Sequence, residues 1–149
     1  MVPVEFAEDA GAHFEGALAA LLREDVGEEL RDALEGVGDR LILPEAARDS
    51  EPSWFGFLIS IRPDSALKRN EITRYLESRG IQTRLLFSGN LVKHPCFDQI
   101  RGSDAYRVVG ELSNTDFIMN NSFWVGVYPG MRDEMIDYMA EEIKNAIRG

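Results

Sequence analysis

The sequence predicts an α+β domain in which a small, antiparallel-type three-stranded sheet carries helices on one face. Two observations lead to this prediction. Short runs of aromatic and β-branched residues, typical of strands, alternate with longer segments whose apolar residues recur at a helical period. With 149 residues, the chain also has the length of one ordinary domain.

The amino-terminal part is predicted to be helical over residues 9–37, in two pieces separated at Gly27. A short apolar strand over residues 41–43 follows. Each helical piece has its own apolar stripe. The stripe residues are Phe14, Leu18, Leu21 and Leu22 in the first piece, and Val26, Leu30, Leu34 and Val37 in the second.

A strand, a helix and a second strand are predicted in the middle of the chain. Residues 54–61 are aromatic and β-branched, as in strands. Ser65 is expected to cap the helix that follows, and Gly80 to end it in the left-handed conformation. The second strand then covers residues 81–87.

The carboxy-terminal third begins with residues 88–104, which contain Gly, Asn and Pro and are expected to form an ordered loop. Four further elements are expected after it. They are a helix over 105–112, a helix over 115–120 capped by Ser113 and Asn114, a strand over 123–128 and a helix over 131–147.

Composition and charge argue against several classes of function. The chain has 26 Asp and Glu against 16 Lys and Arg, and this net charge of −10 disfavours binding to nucleic-acid phosphates. Its longest uncharged apolar stretch, residues 53–61, is far shorter than the ~20 residues of a membrane span. The acidic amino end lacks the basic residues of a signal peptide, so we expect a cytoplasmic protein.

No common catalytic motif is present in the sequence, whether a glycine-rich phosphate loop, H-E-x-x-H or G-x-S-x-G. His13 and His94 are best explained as solvated side chains, and Cys96 as a small packing residue. One cysteine and two histidines are also too few for a structural zinc site. We therefore predict no catalytic residue and no metal ligand in this chain.

Arg84 stands out because it lies within an apolar strand. Strand alternation places it on the face of Gln82 and Leu86, opposite Thr83 and Leu85. Both faces are largely apolar, so the guanidinium is expected to need a partner. An internal carboxylate and a bound anionic ligand both satisfy this requirement.

Five motifs are long or unusual enough to identify a family. In order, they are S-W-F-G-F at 53–57, T-R-L-L-F-S-G-N-L at 83–91, Y-R-V-V-G-E-L at 106–112, N-T-D at 114–116 and I-M-N-N-S-F-W-V-G-V-Y-P-G at 118–130. Together they resemble the carboxy-terminal region of the pyridoxal-phosphate-dependent sugar aminotransferase/dehydrase family, the DegT/DnrJ/EryC1/StrS type. The most similar branch is that of the CDP-4-keto-6-deoxy-D-glucose 3-dehydrases of dideoxysugar and lipopolysaccharide biosynthesis.

The resemblance implies that the chain is the carboxy-terminal small domain of a fold type I enzyme. Residues 1–38 would be a helical connector, and residues 39–149 the small domain that closes over cofactor and substrate. The large domain would hold pyridoxal or pyridoxamine phosphate on a Schiff-base lysine, which dehydrases replace by a histidine. That histidine would not be His94. The chain alone is therefore expected to be inactive and to hold no cofactor.

The resemblance also implies a set of partners and substrate-binding residues. The partners would be the large cofactor-binding domain, a nucleotide-sugar substrate, a second copy in a homodimer and an iron–sulfur reductase. Arginine suits the diphosphate of such a substrate, and asparagine suits its sugar hydroxyls. The expected substrate-binding residues are Arg84, Gly89, Asn90, Leu91, Trp54 and Phe55.

Two other functions stay open. One is a sugar-nucleotide aminotransferase of the same family, which would differ in the lysine of the large domain. The other is a non-catalytic, truncated module that binds a partner chain or a sugar nucleotide. The only lysines of the sequence are Lys68, Lys93 and Lys144, and none has an evident phosphate cradle nearby, so we predict no covalent pyridoxal phosphate.

Overall fold

A computed structural model describes residues 26–148, which form four α-helices and a four-stranded sheet. Two 3₁₀ turns, Leu91–Lys93 and Pro95–Phe97, lie in the long loop between the third strand and the third helix. In chain order, the elements are α1 (Val26–Ala33), β1 (Leu41–Ile42), β2 (Gly56–Ile61), α2 (Arg69–Ser78), β3 (Thr83–Leu85), α3 (Ser113–Asn121), β4 (Ser122–Gly126) and α4 (Asp133–Arg148).

The sheet is antiparallel, with the strand order β1-β2-β4-β3. Phe57 and Thr83 both stand opposite Val125, so β4 is the central partner of β2 and β3. The predicted three-strand sheet is confirmed, and β1 adds a short fourth strand at its edge. Of the predicted strand over 123–128, the ladder contains Ser122–Gly126.

The helices α1, α2 and α4 cover one face of this sheet. α1 and α2 both contact α4, and α2 also contacts β3 and β4. Strand alternation sends every second side chain into this layer. The buried apolar side chains of the sheet are Leu41, Phe57, Ile59, Ile61, Phe123 and Val125. The expected packing of helices on one face is therefore confirmed.

A buried carboxylate joins α2 to α4. Glu142 is 4% exposed, and its two oxygens accept hydrogen bonds from the Arg79 guanidinium at 3.0 Å each. The Tyr75 hydroxyl donates a third hydrogen bond to it, at 2.7 Å. The hydrogen bonds from Arg79, followed by that from Tyr75, hold the pKa of Glu142 below its ordinary value. This network satisfies a charge that would be costly to bury alone.

Two predicted helices differ in the structure. Residues 106–109 have no regular secondary structure, so the helix over 105–112 is wrong. Gly110 there has a φ of +73°, and Val109 is 73% exposed, so this segment has no core to pack against. The helix after Ser65 begins at Arg69, because Ser65 Oγ accepts a hydrogen bond from Leu67 N in a local turn instead.

The ends of the other helices differ less from those predicted from the sequence. Gly80 has a φ of +80° at the end of α2, as predicted. α3 lacks the side-chain cap expected from Ser113 and Asn114. Gly27 lies within α1 rather than at a break, and the Trp54 ring occupies the space that a Cβ at Gly27 would need. The first predicted helical piece and His13 lie outside the described residues.

Candidate functional site

Arg84 lies on the face of the sheet opposite the three covering helices. It pairs with Trp124 across the β3–β4 ladder, and its side chain is exposed. Nη1 donates a hydrogen bond to the Thr83 carbonyl at 3.1 Å. Within residues 26–148, no carboxylate forms an ion pair with it. The apolar strand therefore does not bury Arg84, because the covering helices α1, α2 and α4 pack on the other face.

Three aromatic rings lie beside Arg84, and we call them and Arg84 together the open face. Trp124 is flanked edge-on by Phe55, with ring centroids 5.3 Å apart, and by Phe87, at 5.5 Å. Phe55 is 83% exposed and Phe87 is 82% exposed. Gly56 lies against the Trp124 ring, since a Cβ there would be 3.2 Å from Trp124 Cε3. Large exposed aromatic rings in one group are typical of a binding surface.

The open face surrounds a depression of about 410 Å³. Its volume falls within the range of small-molecule sites, ~300–1,000 Å³. Arg84 supplies its positive charge. The lining residues are Phe55, Gly56, Arg84, Leu85, Phe87, Trp124, Val125 and Gly126.

Trp54 and Phe55 are both predicted to contact substrate, but their side chains lie on opposite sides of the sheet. The Trp54 ring packs on the helix side, 6.5 Å from the Phe57 ring and against Gly27 of α1. Phe55 belongs to the open face. The structure therefore brings Phe55 to Arg84 and leaves Trp54 behind the sheet.

Asn90 is 2% exposed and bonds within the protein. Its Nδ2 donates to Asp116 Oδ1 at 2.8 Å, and its backbone N–H donates to Met119 Sδ at 3.3 Å. Lys93 Nζ donates to the other Asp116 oxygen at 2.7 Å. The hydrogen bonds from Lys93 and then Asn90 lower the pKa of Asp116.

Gly89 and Leu91 lie on the two sides of Asn90. Gly89 has a φ of +61°, and a Cβ there would overlap the Met119 side chain, so this position requires glycine. Leu91 is 53% exposed and lines a second depression, of 330 Å³, that also contains Phe87. Phe87 thus borders both depressions.

The other groups that the sequence singled out form no catalytic cluster. Cys96 is exposed, and His94 Nε2 lies 2.6 Å from the Ser88 carbonyl. No group of three metal-ligating side chains occurs in the part of the chain that the structure describes. Within that part, no helix is both long and apolar enough to cross a membrane.

The comparison with known families decides the assignment. Residues 17–144 match the DegT/DnrJ/EryC1/StrS aminotransferase family. The chain belongs to this family. Its motifs at 53–57, 83–91 and 118–130 lie at the open face and at the strands that carry it.

Relatives within the family are much longer than this chain. It is 49% identical over 114 residues to dTDP-4-dehydro-2,6-dideoxy-D-glucose 3-dehydratase of Saccharopolyspora spinosa, covering 76% of this chain and 24% of that protein. It is 45% identical over 115 residues to lipopolysaccharide biosynthesis protein RfbH of Salmonella typhimurium, covering 77% and 25%. The chain thus spans about a quarter of these relatives.

Solved structures of the family share the fold. The structure of E. coli GDP-4-keto-6-deoxy-D-mannose-3-dehydratase with bound hydrated PLP matches with a TM-score of 0.69 and 27% identity. The match covers 89% of this chain and 33% of that one. The sheet with helices on one face is therefore the fold of part of a family enzyme.

Sequence reasoning missed two residues of the open face, Trp124 and Phe87. The sequence analysis places Trp124 only in an aromatic strand, and Phe87 at the end of another strand. The available signal was strand alternation, because the neighbours Phe123 and Trp124 must face opposite sides. Gly56 and Gly126 are paired beside Trp124 and have no side chains, so they leave one side of the Trp124 ring uncovered.

Proposed function

We propose that residues 39–149 are the carboxy-terminal small domain of a nucleotide-sugar 3-dehydratase that uses pyridoxal or pyridoxamine phosphate in dideoxysugar or lipopolysaccharide biosynthesis, with residues 1–38 as its connector. The observation that carries the proposal is the identity of 49% over 114 residues with a dTDP-sugar 3-dehydratase. The second relative, at 45%, is named for lipopolysaccharide biosynthesis.

The cofactor would be held by a large domain rather than by the described residues. Lys68 and Lys93 form ion pairs with Glu71 and Asp116, and Lys144 lies half-buried on α4. No lysine of the chain therefore offers a free amine at the open face. The cofactor does not fit the described residues, and no chemical step of the reaction is assigned to them.

The contribution of this chain is to bind and orient the substrate. Arg84 is exposed, lacks a carboxylate partner among residues 26–148 and borders the 410 Å³ depression. Such an arginine suits a diphosphate, which it can contact through two parallel hydrogen bonds. Phe55 and Leu91 are exposed and would contact the substrate directly, while Trp54, Gly89 and Asn90 would shape the surface from behind.

The open face would also lie against the large domain. A cluster of exposed aromatic rings is costly to leave in water, and the relatives have about three times as much chain beyond the matched region. The substrate would then bind between the two domains, where small-molecule sites are common. The proposal also includes that the whole enzyme is a homodimer, that it works with an iron–sulfur reductase and that it is located in the cytoplasm.

A sugar aminotransferase of the same family is the second candidate, favoured by the family's own description as aminotransferases. The group that distinguishes the two reactions lies in the large domain. A non-catalytic module that binds a sugar nucleotide is the third candidate, consistent with a chain that spans about a quarter of its relatives.

A chimera tests the proposal. Residues 39–148 would replace the matched carboxy-terminal segment of the Saccharopolyspora spinosa dehydratase, and product formation from its own substrate would be followed by chromatography. We expect the chimera to fold and to remove the C3 hydroxyl from the substrate. Because the chimera keeps the large domain of the dehydratase, it tests whether these residues support substrate binding and turnover, and it does not address the aminotransferase candidate. A folded chimera that holds cofactor but forms no product would favour the non-catalytic module.

A further inference from the structure

The loop after β3 holds its exposed aromatic residue in an unusual backbone conformation. Phe87 has a φ of +49°, in the left-handed region that bulky side chains rarely adopt. Its ring is nevertheless 82% exposed and stands edge-on to Trp124. Burial of the Phe87 ring does not hold this conformation. Two backbone hydrogen bonds support it locally, from Phe87 N to the Leu85 carbonyl at 2.8 Å and from Gly89 N to the Leu86 carbonyl at 3.3 Å.

Further contacts to the loop come from α3. Asp116 and Met119 lie one turn apart, so their side chains share a face of the helix. Met119 packs against Gly89 and accepts the backbone N–H of Asn90. Asp116 uses one oxygen for Asn90 Nδ2 and the other for Lys93 Nζ. One helix thus contacts the loop at three points, residues 89, 90 and 93.

The same helix leads directly into the strand that carries Trp124. α3 ends at Asn121 and β4 begins at Ser122. One continuous segment therefore provides both the ring that Phe87 contacts and the groups that hold the loop of Phe87. Phe87, Trp124 and Arg84 all line the same depression, so the position of the loop sets one wall of it.

We infer that Asp116 is a positioning residue, which holds the loop over residues 87–93 so that Phe87 and Arg84 present a fixed surface to the substrate. The inference rests on the proposed function for the identity of what binds there. The carboxylate is not needed to cap its own helix, since α3 begins without a side-chain cap. Its acceptor atoms are instead both directed to the loop.

Fluorescence of Trp124 tests the positioning on this chain itself. In a Trp54→Phe background, Trp124 is the only remaining tryptophan. Acrylamide quenching would be compared for Asp116→Ala, Asp116→Asn, Phe87→Ala and the matched control Glu71→Ala, which removes an exposed i,i+3 ion pair on α2. Thermal melts would confirm that each variant is folded at the temperature of the measurement.

We expect Asp116→Ala to raise the quenching constant of Trp124 to that of Phe87→Ala, and Glu71→Ala to leave it unchanged. Asp116→Asn keeps an acceptor for Asn90 and loses the charge facing Lys93, so it should give an intermediate value. If Asp116→Ala does not fold, Asp116→Asn decides the question. Quenching at the parent value in the folded Asp116 variants would overturn the inference.

The chimera separates this inference from the proposed function. In an active chimera, Asp116→Asn should raise KM for the nucleotide sugar and leave kcat unchanged, because it alters the binding surface and no reacting group. An unchanged KM would overturn the role of Asp116 in substrate binding while the proposed function stands. An inactive parent chimera, together with raised Trp124 quenching, would support the loop anchor and count against the proposed function.

Discussion

The two faces of the sheet differ in how their charged side chains are satisfied. On the covered side, Arg79 forms a two-point ion pair with the buried Glu142, which also accepts the Tyr75 hydroxyl. On the open side, Arg84 bonds to the Thr83 carbonyl alone among residues 26–148 and lies among exposed aromatic rings. The first arginine joins two helices of the fold, and the second has no carboxylate partner among residues 26–148, as our proposal of a ligand-binding role requires.

The same difference holds for two neighbours on β4. Phe123 is fully buried among the helices, whereas Trp124 is half-buried between two exposed phenylalanines. Stability should therefore depend on the covered side, and ligand binding on the open side. The variants below test this division, beginning with the largest effect.

Phe123→Ala should cause the largest loss of stability, because it leaves a cavity at a fully buried position of the core. Replacing a buried phenylalanine by alanine costs about 3–5 kcal/mol. Phe55→Ala is the matched control on the open face, and it should cost about 1 kcal/mol or less, since it loses only an edge contact with Trp124. Urea unfolding of both variants measures the difference. Equal losses would contradict the division between the faces.

Glu142 should make stability depend on pH. Its pKa is lowered in the folded state by Arg79 and Tyr75, so its contribution is present above the unfolded pKa of about 4.3 and is lost as pH falls through the folded value. The urea midpoint should therefore fall on acidification, and less so in Glu142→Gln. Glu71→Gln, at an exposed ion pair, is the control and should keep the full pH dependence. An identical pH profile for Glu142→Gln and the parent would refute this role.

The smallest effect is expected when pyridoxal phosphate is added to the chain. Mixing the chain with pyridoxal phosphate and then borohydride should give no stoichiometric label on a single lysine, because Lys68 and Lys93 are paired with carboxylates. Peptide mass spectrometry after digestion measures the label. Full labelling of one lysine would place a cofactor site within this chain.

The sequence predicted most of the sheet because strand alternation is a local signal. The helix predicted over residues 105–112 is wrong. The apolar side chains of Val108 and Val109 are exposed, with no neighbouring element to pack against, and Gly110 adopts a positive φ. Local patterns do not reveal which surface remains uncovered.

The candidate site was predictable only in part, for the same reason. Arg84 was identified, but its exposure depends on all three covering helices lying on one side of the sheet. The structural role of Asn90 depends on Asp116, which is 26 residues away in the sequence. Phe87 joins the open face only through its positive φ. These are long-range or conformational features that residue spacing does not encode.

The most direct test of the account compares Arg84→Ala with Arg79→Ala in the active chimera, measuring Tm and KM for the nucleotide sugar. Arg84→Ala should leave Tm unchanged and raise KM about tenfold or more, as expected for the loss of a charged hydrogen bond of about 1.5–3 kcal/mol. Arg79→Ala should lower Tm and leave the KM of the folded fraction unchanged. A lowered Tm with unchanged KM for Arg84→Ala would contradict the assignment of the open face to substrate binding.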